Sequence, residues 1–194
     1  WWNLEGLING LFMCGRFNFS NHSKVSGAAK VGIKPSYNIA PSATVAVLDE
    51  NGECVKLNWG FMPSWMKSGQ IINAKSETVR AKPTFQGFRK CYVPINGWYE
   101  WAKTDNGKQP YYFYSDYDTL YVKPIMKDNT VVLLTTSAME NIAGIHHRMP
   151  LLNLEPTFKH WNLHQTEIAI HTHPISAKVN AVSNDSPELI APIV

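Results

Sequence analysis

Turn-forming combinations cut this chain at short intervals, and they limit its fold more than any other feature does. Lys34-Pro35-Ser36, Ala40-Pro41-Ser42, Asn51-Gly52, Met62-Pro63, Asn96-Gly97 and Asn106-Gly107 are spread along the sequence. Proline presets φ for a turn, while glycine and asparagine tolerate the left-handed backbone that tight turns need. Between these points only short runs remain, and they are strand-like. Residues 44–48 (TVAVL) and 54–59 (CVKLNW) flank Asn51-Gly52 and read as a hairpin. Residues 110–114, 119–122 and 131–136 read as further strands. Helical candidates are fewer: residues 155–163, with Pro156 tolerable in the first turn, residues 137–142, and a short turn at 84–89. The expected fold class is α+β. It is a single domain dominated by short antiparallel strands, forming a curled sheet or barrel-like core with a few peripheral helices.

Such a fold needs a core, and the composition supplies one. Hydrophobic residues make up 44% of the 194 residues and aromatics 12%, with 17% charged. That balance excludes wholesale disorder and fits one domain or at most two. The three cysteines, Cys14, Cys54 and Cys91, are odd in number and lack C-x-x-C spacing, which argues against a disulfide framework or a zinc site. His171-Thr172-His173 has no third ligand at a characteristic spacing, and alternation on a strand explains it as well, so no metal or other cofactor is expected. The opening WWNLEGLINGLF is apolar but short and has no positive flank, so it reads as neither a signal peptide nor a membrane span. Residues 1–13 read instead as a leader or propeptide before a domain of residues 14–194.

The net charge is only +3, but it is unevenly spread. Between Val55 and Val93 stand Lys56, Lys67, Lys75, Arg80, Lys82, Arg89 and Lys90 against one acid, Glu77. Trp59, Phe61, Trp65, Phe85, Phe88 and Tyr92 are interleaved with them. Cations that track phosphates and rings that stack on bases suit single-stranded nucleic acid. A charged face over ordinary core aromatics gives the same pattern.

Particular residues point to chemistry. Cys14 follows Met13 and precedes the small Gly15, so removal of Met13 would make it N-terminal. An N-terminal cysteine carries a thiol and an amine on adjacent carbons, and the amine is partly unprotonated near neutrality. This aminothiol condenses with an aldehyde to a thiazolidine ring, which an internal cysteine cannot form. Glu100 lies among aromatics in NGWYEW, where burial raises a carboxyl pKa and suits it to acid–base work. Asn73 sits in INAKSET beside Lys75. His146 and His147 adjoin Arg148. A polar, loop-like stretch covers residues 177–185.

Taken in order, MCGRF, PSYNIAPS, NWGFMPSW, INAKSETV, CYVPINGWYEW, KQPYYF, LLTTSA, IHHRMP and VNAVSNDSPELIAP cover nearly the whole chain from Met13. This ordered set resembles the SRAP family, the SOS response-associated peptidases, also described as abasic-site processing proteins. The resemblance implies an SOS or DNA-damage role. In it Cys14 attacks the open-chain aldehyde of an abasic site in single-stranded DNA and ends as a thiazolidine DNA–protein crosslink, with Asn73, Glu100 and His146 as the other catalytic residues. It implies Arg16 and Arg148 on flanking phosphates and Pro41 and Trp65 along the strand's path. Lys75 and Arg80 add charge on the DNA-binding side. Lys75 stands where the family usually has arginine, keeping the charge and losing the bidentate fork. The implied activities extend to weak lyase action through the imine and to thiol autopeptidase action on the leader. A single-strand binding module without chemistry is the third reading. The implied setting is the cytoplasm, beside the nucleoid if the source is bacterial, without a membrane partner and as a monomer.

Overall fold

The structure, a computed structural model, describes residues 14–193 apart from Asn106. The leader reading for residues 1–13 and the Asn106 half of the Asn106-Gly107 turn lie outside the described residues.

Fifteen strands follow one another among the described residues: β1 (Phe17–Phe19), β2 (Ser36–Ile39), β3 (Thr44–Leu48), β4 (Cys54–Trp59), β5 (Asn73–Lys75), β6 (Arg89–Lys90), β7 (Val93–Ile95), β8 (Gly97–Thr104), β9 (Gly107–Tyr114), β10 (Leu120–Val122), β11 (Pro124–Lys127), β12 (Thr130–Ser137), β13 (Arg148–Pro150), β14 (Leu152–Asn153) and β15 (His171–Pro174). They form three sheets in one α+β domain dominated by short strands, and none of the sheets closes on itself. One runs β15-β9-β8-β1-β2, a second β14-β10-β7, and the largest β3-β4-β12-β11-β6 with β5 and β13 also on β12. Pairing is antiparallel except where β4 and β5 run parallel to β12. The hairpin expected around Asn51-Gly52 forms with Thr44 opposite Asn58 and Leu48 opposite Cys54.

Of the expected helices, the short turn near 84–89 is present, and the two longer ones do not form. Among the described residues the helical elements are 3-10 turns of three or four residues. Within 155–163 only Phe158–His160 turns, because its aromatics are drawn to separate anchors: Phe158 packs edge-on against Tyr92, and the Trp161 indole donates to the Cys91 carbonyl. In 137–142, Ser137 ends β12 and the chain then makes one turn closed on the Met139 carbonyl. In 84–89 the chain turns at Pro83–Phe85 and returns to strand at Arg89. Short runs without a sustained apolar stripe cannot repay helix nucleation, so tertiary contacts decide.

The core follows the alternation of these strands. Phe17 of β1 meets Trp59 of β4, ring centroids 5.1 Å apart, and Trp98 stacks on Phe113 across β8 and β9. Burying each such ring contributes about 1.5–3 kcal/mol. Gly97 begins β8 rather than making a hairpin turn. A Cβ there would lie 2.4 Å from the Phe113 carbonyl oxygen, so only glycine lets β8 approach β9 this closely. No helix among the described residues is long and apolar enough to cross a membrane.

Candidate active site

The site begins with a register. Phe17 pairs with Trp98, Asn18 with Gly97, and the Tyr99 N–H donates to the Arg16 carbonyl. Continuing that antiparallel run sets Gly15 opposite Glu100 of β8 and Cys14 one residue further, within reach of the Glu100 side chain. The Cys14 backbone N–H donates to Glu100 Oε1 at 2.7 Å. Both residues are buried, Cys14 at 2% exposure and Glu100 at 3%. Cys14 also sits in the left-handed region, with φ +44°, which few residues other than glycine adopt without strain.

Burial sets the protonation of this pair. Desolvation pushes the Glu100 carboxyl up to about 7, against the lowering effect of its hydrogen bonds from Cys14. The Cys14 thiol is pushed well above its ordinary value, first by burial and then by the Glu100 charge, with Arg148 opposing. Near neutrality the carboxyl therefore divides between acid and carboxylate while the thiol keeps its proton.

Arg148 opens β13 and is buried. Its Nη1 and Nη2 donate to Glu77 Oε1 and Oε2 at 2.6 and 2.8 Å, and Nη2 also donates to the Thr135 carbonyl at 2.7 Å. Glu77 is held well below the usual carboxylate range, at about 2, chiefly by this hydrogen bonding. Arg148 also places its N–H 3.2 Å and its carbonyl oxygen 3.1 Å from His146 Nδ1. His146 is half-buried, and desolvation lowers its pKa, so its ring is neutral near pH 7. Asn73 begins β5 and pairs with Leu133 of β12, two residues before Thr135. Cys14 and Glu100 are in direct contact, Arg148 is within electrostatic reach of Cys14, and His146 is joined to Arg148.

The residues named for DNA lie at varied depths. Arg16 Nη1 donates to Asn38 Oδ1 at 2.8 Å and to the Val179 carbonyl at 2.9 Å, which ties the Cys14 segment to β2 and to the 177–185 loop. Lys75 and Arg80 are exposed just after Asn73. Trp65 is 53% exposed and shares the loop between β4 and β5 with exposed Met62. Pro41 lies in a turn closed by the Ala43 N–H on the Ala40 carbonyl, at the edge of a 610 Å³ groove that also takes in Lys34, Lys56 and Asp185. His171 and His173 alternate along β15 and bond separately, to Asp116 and to the Ile190 carbonyl.

Sequence reasoning missed two residues. Asn38, buried within PSYNIAPS, accepts from Arg16 and donates Nδ2 to the Ala181 and Asn184 carbonyls. Glu77 was visible only as the single acid in a basic stretch. That isolation was the available signal, and it pointed to no particular partner, since Arg148 is 71 residues away in sequence.

Known proteins share this arrangement of sequence and fold. Abasic site processing protein YoqW of Bacillus subtilis (strain 168) is 29% identical over 224 residues, covering 92% of this chain and 99% of that protein. Abasic site processing protein YedK of Escherichia coli (strain K12) is 29% identical, covering 81% of this chain and 84% of that protein. Abasic site processing protein HMCES of Gallus gallus is 26% identical, covering 82% and 67%. A crystal structure of a Bacteroides thetaiotaomicron protein has the same fold, with a TM-score of 0.71 at 17% identity over 93% of this chain and all of that one. The profile of SRAP, SOS response associated peptidase, matches residues 13–182, a span that takes in Cys14, Glu100, His146 and every strand that positions them, and the chain is a member of that family.

Proposed function

We propose that this chain processes abasic sites in single-stranded DNA, by crosslinking to them through Cys14 once Met13 and the residues before it are removed. The observation that carries the reading is the 2.7 Å contact between the Cys14 nitrogen and a buried carboxyl whose pKa is near 7. Removal of Met13 turns that nitrogen from an amide into an amine. The Glu100 carboxylate takes a proton from the ammonium, and the free amine attacks the C1′ aldehyde. The resulting carbinolamine loses water as protonated Glu100 returns the proton to the departing hydroxyl. The Cys14 thiol then adds across the imine, with sulfur bonding to C1′ and its proton passing to nitrogen. One water leaves overall and a thiazolidine remains. Because the proton moves within this closed ring, the high thiol pKa is no obstacle. The imine also allows β-elimination of the 3′ phosphate, which accounts for a minor lyase path.

His146, neutral and half-buried, is suited to the ring-opening proton transfer of the sugar, and Asn73 to a hydrogen bond on the reacting sugar. Trp65 offers an exposed ring for stacking, Lys75 and Arg80 offer charge for phosphates, and Arg16 and Pro41 border the strand's path. Arg148 works from beneath the site, since its guanidinium already holds Glu77 and Thr135.

The same contact favours a second activity. The Cys14 nitrogen bonded to Glu100 is the leaving atom of the Met13–Cys14 peptide bond. Attack by the Cys14 thiol on the Met13 carbonyl, with Glu100 protonating that nitrogen, gives a thioester that water hydrolyses. This frees the amine and restores the thiol.

The test is denaturing electrophoresis after incubation with a single-stranded oligonucleotide carrying one abasic site. The leaderless protein gives a heat-stable shifted band, and Cys14→Ser does not. Absence of the band from the leaderless wild type overturns the crosslinking reading, and equal binding of intact and abasic strands would then mark a passive binding module.

A further inference from the structure

We propose that Glu77 is a positioning residue for this reaction, acting through Arg148 to fix where His146 stands relative to Asn73. The inference rests on the catalytic reading above. Its basis is the way β12 is flanked. On one edge β5 runs parallel to it, with Asn73 at Leu133 and Lys75 at Thr135. On the other edge β13 runs antiparallel, with Arg148 at Ser137 and Pro150 at Thr135. Asn73 and His146 thus arrive on opposite sides of one strand, and no sheet hydrogen bond joins β5 to β13 directly.

The Arg148 side chain makes the missing link. It crosses β12 at Thr135, donating to that carbonyl, and ends in a bidentate pair with Glu77, four residues beyond Asn73. At its other end Arg148 contacts His146 Nδ1 through its backbone. The chain of contacts Glu77–Arg148–His146 therefore spans both edges of the strand. A fork-on-carboxylate pair fixes direction as well as distance, which a single hydrogen bond does not. Glu77 stays ionised at any working pH because Arg148 holds it at about 2. Arg148 is buried while the Glu77 side chain is 45% exposed, so the arginine belongs to the core and the glutamate is the removable end of the clamp.

Small displacements of a catalytic group cost rate more than affinity. Removing Glu77 also takes an exposed negative charge away from the neighbourhood of Lys75, which favours rather than opposes a DNA phosphate. Loss of the clamp therefore predicts slower chemistry with affinity kept or improved, whereas a merely structural loss lowers both.

The experiment measures single-turnover crosslinking of the leaderless protein against protein concentration, giving a maximal rate and a half-saturating concentration. Glu77→Ala is expected to lower the maximal rate by about tenfold to a hundredfold, with half-saturation unchanged or lower. Glu77→Asp keeps the charge on a shorter arm and is expected to recover most of that rate. Nitrogen shifts of the labelled His146 ring, read without DNA, are expected to move in Glu77→Ala and return in Glu77→Asp. A wild-type rate in Glu77→Ala, a parallel loss of rate and affinity, or an unmoved His146 ring each overturns the proposal. If the wild type forms no crosslink, the catalytic reading fails on its own, and the His146 shifts still decide whether the clamp positions the ring.

Discussion

Two glutamates lie on either side of this site, and their surroundings give them opposite character. Glu100 is buried, has no cation on its oxygens among the described residues and accepts from the Cys14 nitrogen, so its carboxyl stays near 7. Glu77 is half-exposed and gripped by a guanidinium, so its carboxyl falls to about 2. One is poised to exchange a proton at neutral pH, and the other is a permanent charge. The difference comes from desolvation against pairing, not from residue type, and it separates a carboxyl that titrates near neutrality from one that does not.

The sharpest way to break the comparison is to remove the proton exchange. Glu100→Gln keeps an oxygen to accept from Cys14 but cannot titrate, and crosslinking by the leaderless protein is expected to fall by about 10²–10⁴-fold. Retention of the wild-type rate would show that Glu100 is not the acid–base group.

The same variant should be more stable in alkali. A carboxyl raised from near 4.5 to about 7 favours the fold while protonated, and this contribution is lost as pH rises through 7. Above that pH wild type bears the cost of a buried charge, about 3 kcal/mol at most. Glu100→Gln avoids it, so its melting temperature should exceed that of wild type at pH 8 and match it near pH 4. Equal melting at both pH values would mean that the carboxyl is not raised.

The Glu77 pair should behave in the opposite sense and more weakly. Its depressed pKa contributes stability above the ordinary carboxylate value, lost as pH falls through about 2. Water reaches the Glu77 side, which limits the contribution to about 1 kcal/mol. Glu77→Ala should melt slightly below wild type at pH 7, and the gap should narrow as pH falls below 4. A constant gap would place the loss in packing.

Much of this contrast was legible beforehand, but only on one side. Cys14 and Glu100 stood out because a cysteine after methionine and an acid among aromatics are chemically unusual neighbours, and the β3–β4 hairpin stood out because Asn51-Gly52 is a local signal. Glu77 and Arg148 were not legible as a pair. They are 71 residues apart, and only the register of β5 and β13 on β12 makes them neighbours. The two longer expected helices failed for a related reason. Residues 155–163 offer a start signal in Pro156 but few strong helix formers, and Phe158 and Trp161 are held by Tyr92 and Cys91, a pull that is invisible in a window of nine residues.

The left-handed backbone at Cys14 has a consequence for order of events. A φ angle is defined by the carbonyl carbon of the preceding residue, so cutting the bond before Cys14 abolishes the torsion together with its steric clash. Roughly 1 kcal/mol of strain is present only in the uncut chain. If the residues before Cys14 are removed as proposed above, that strain goes with them, and the nitrogen that faces Glu100 becomes an amine free of the constraint.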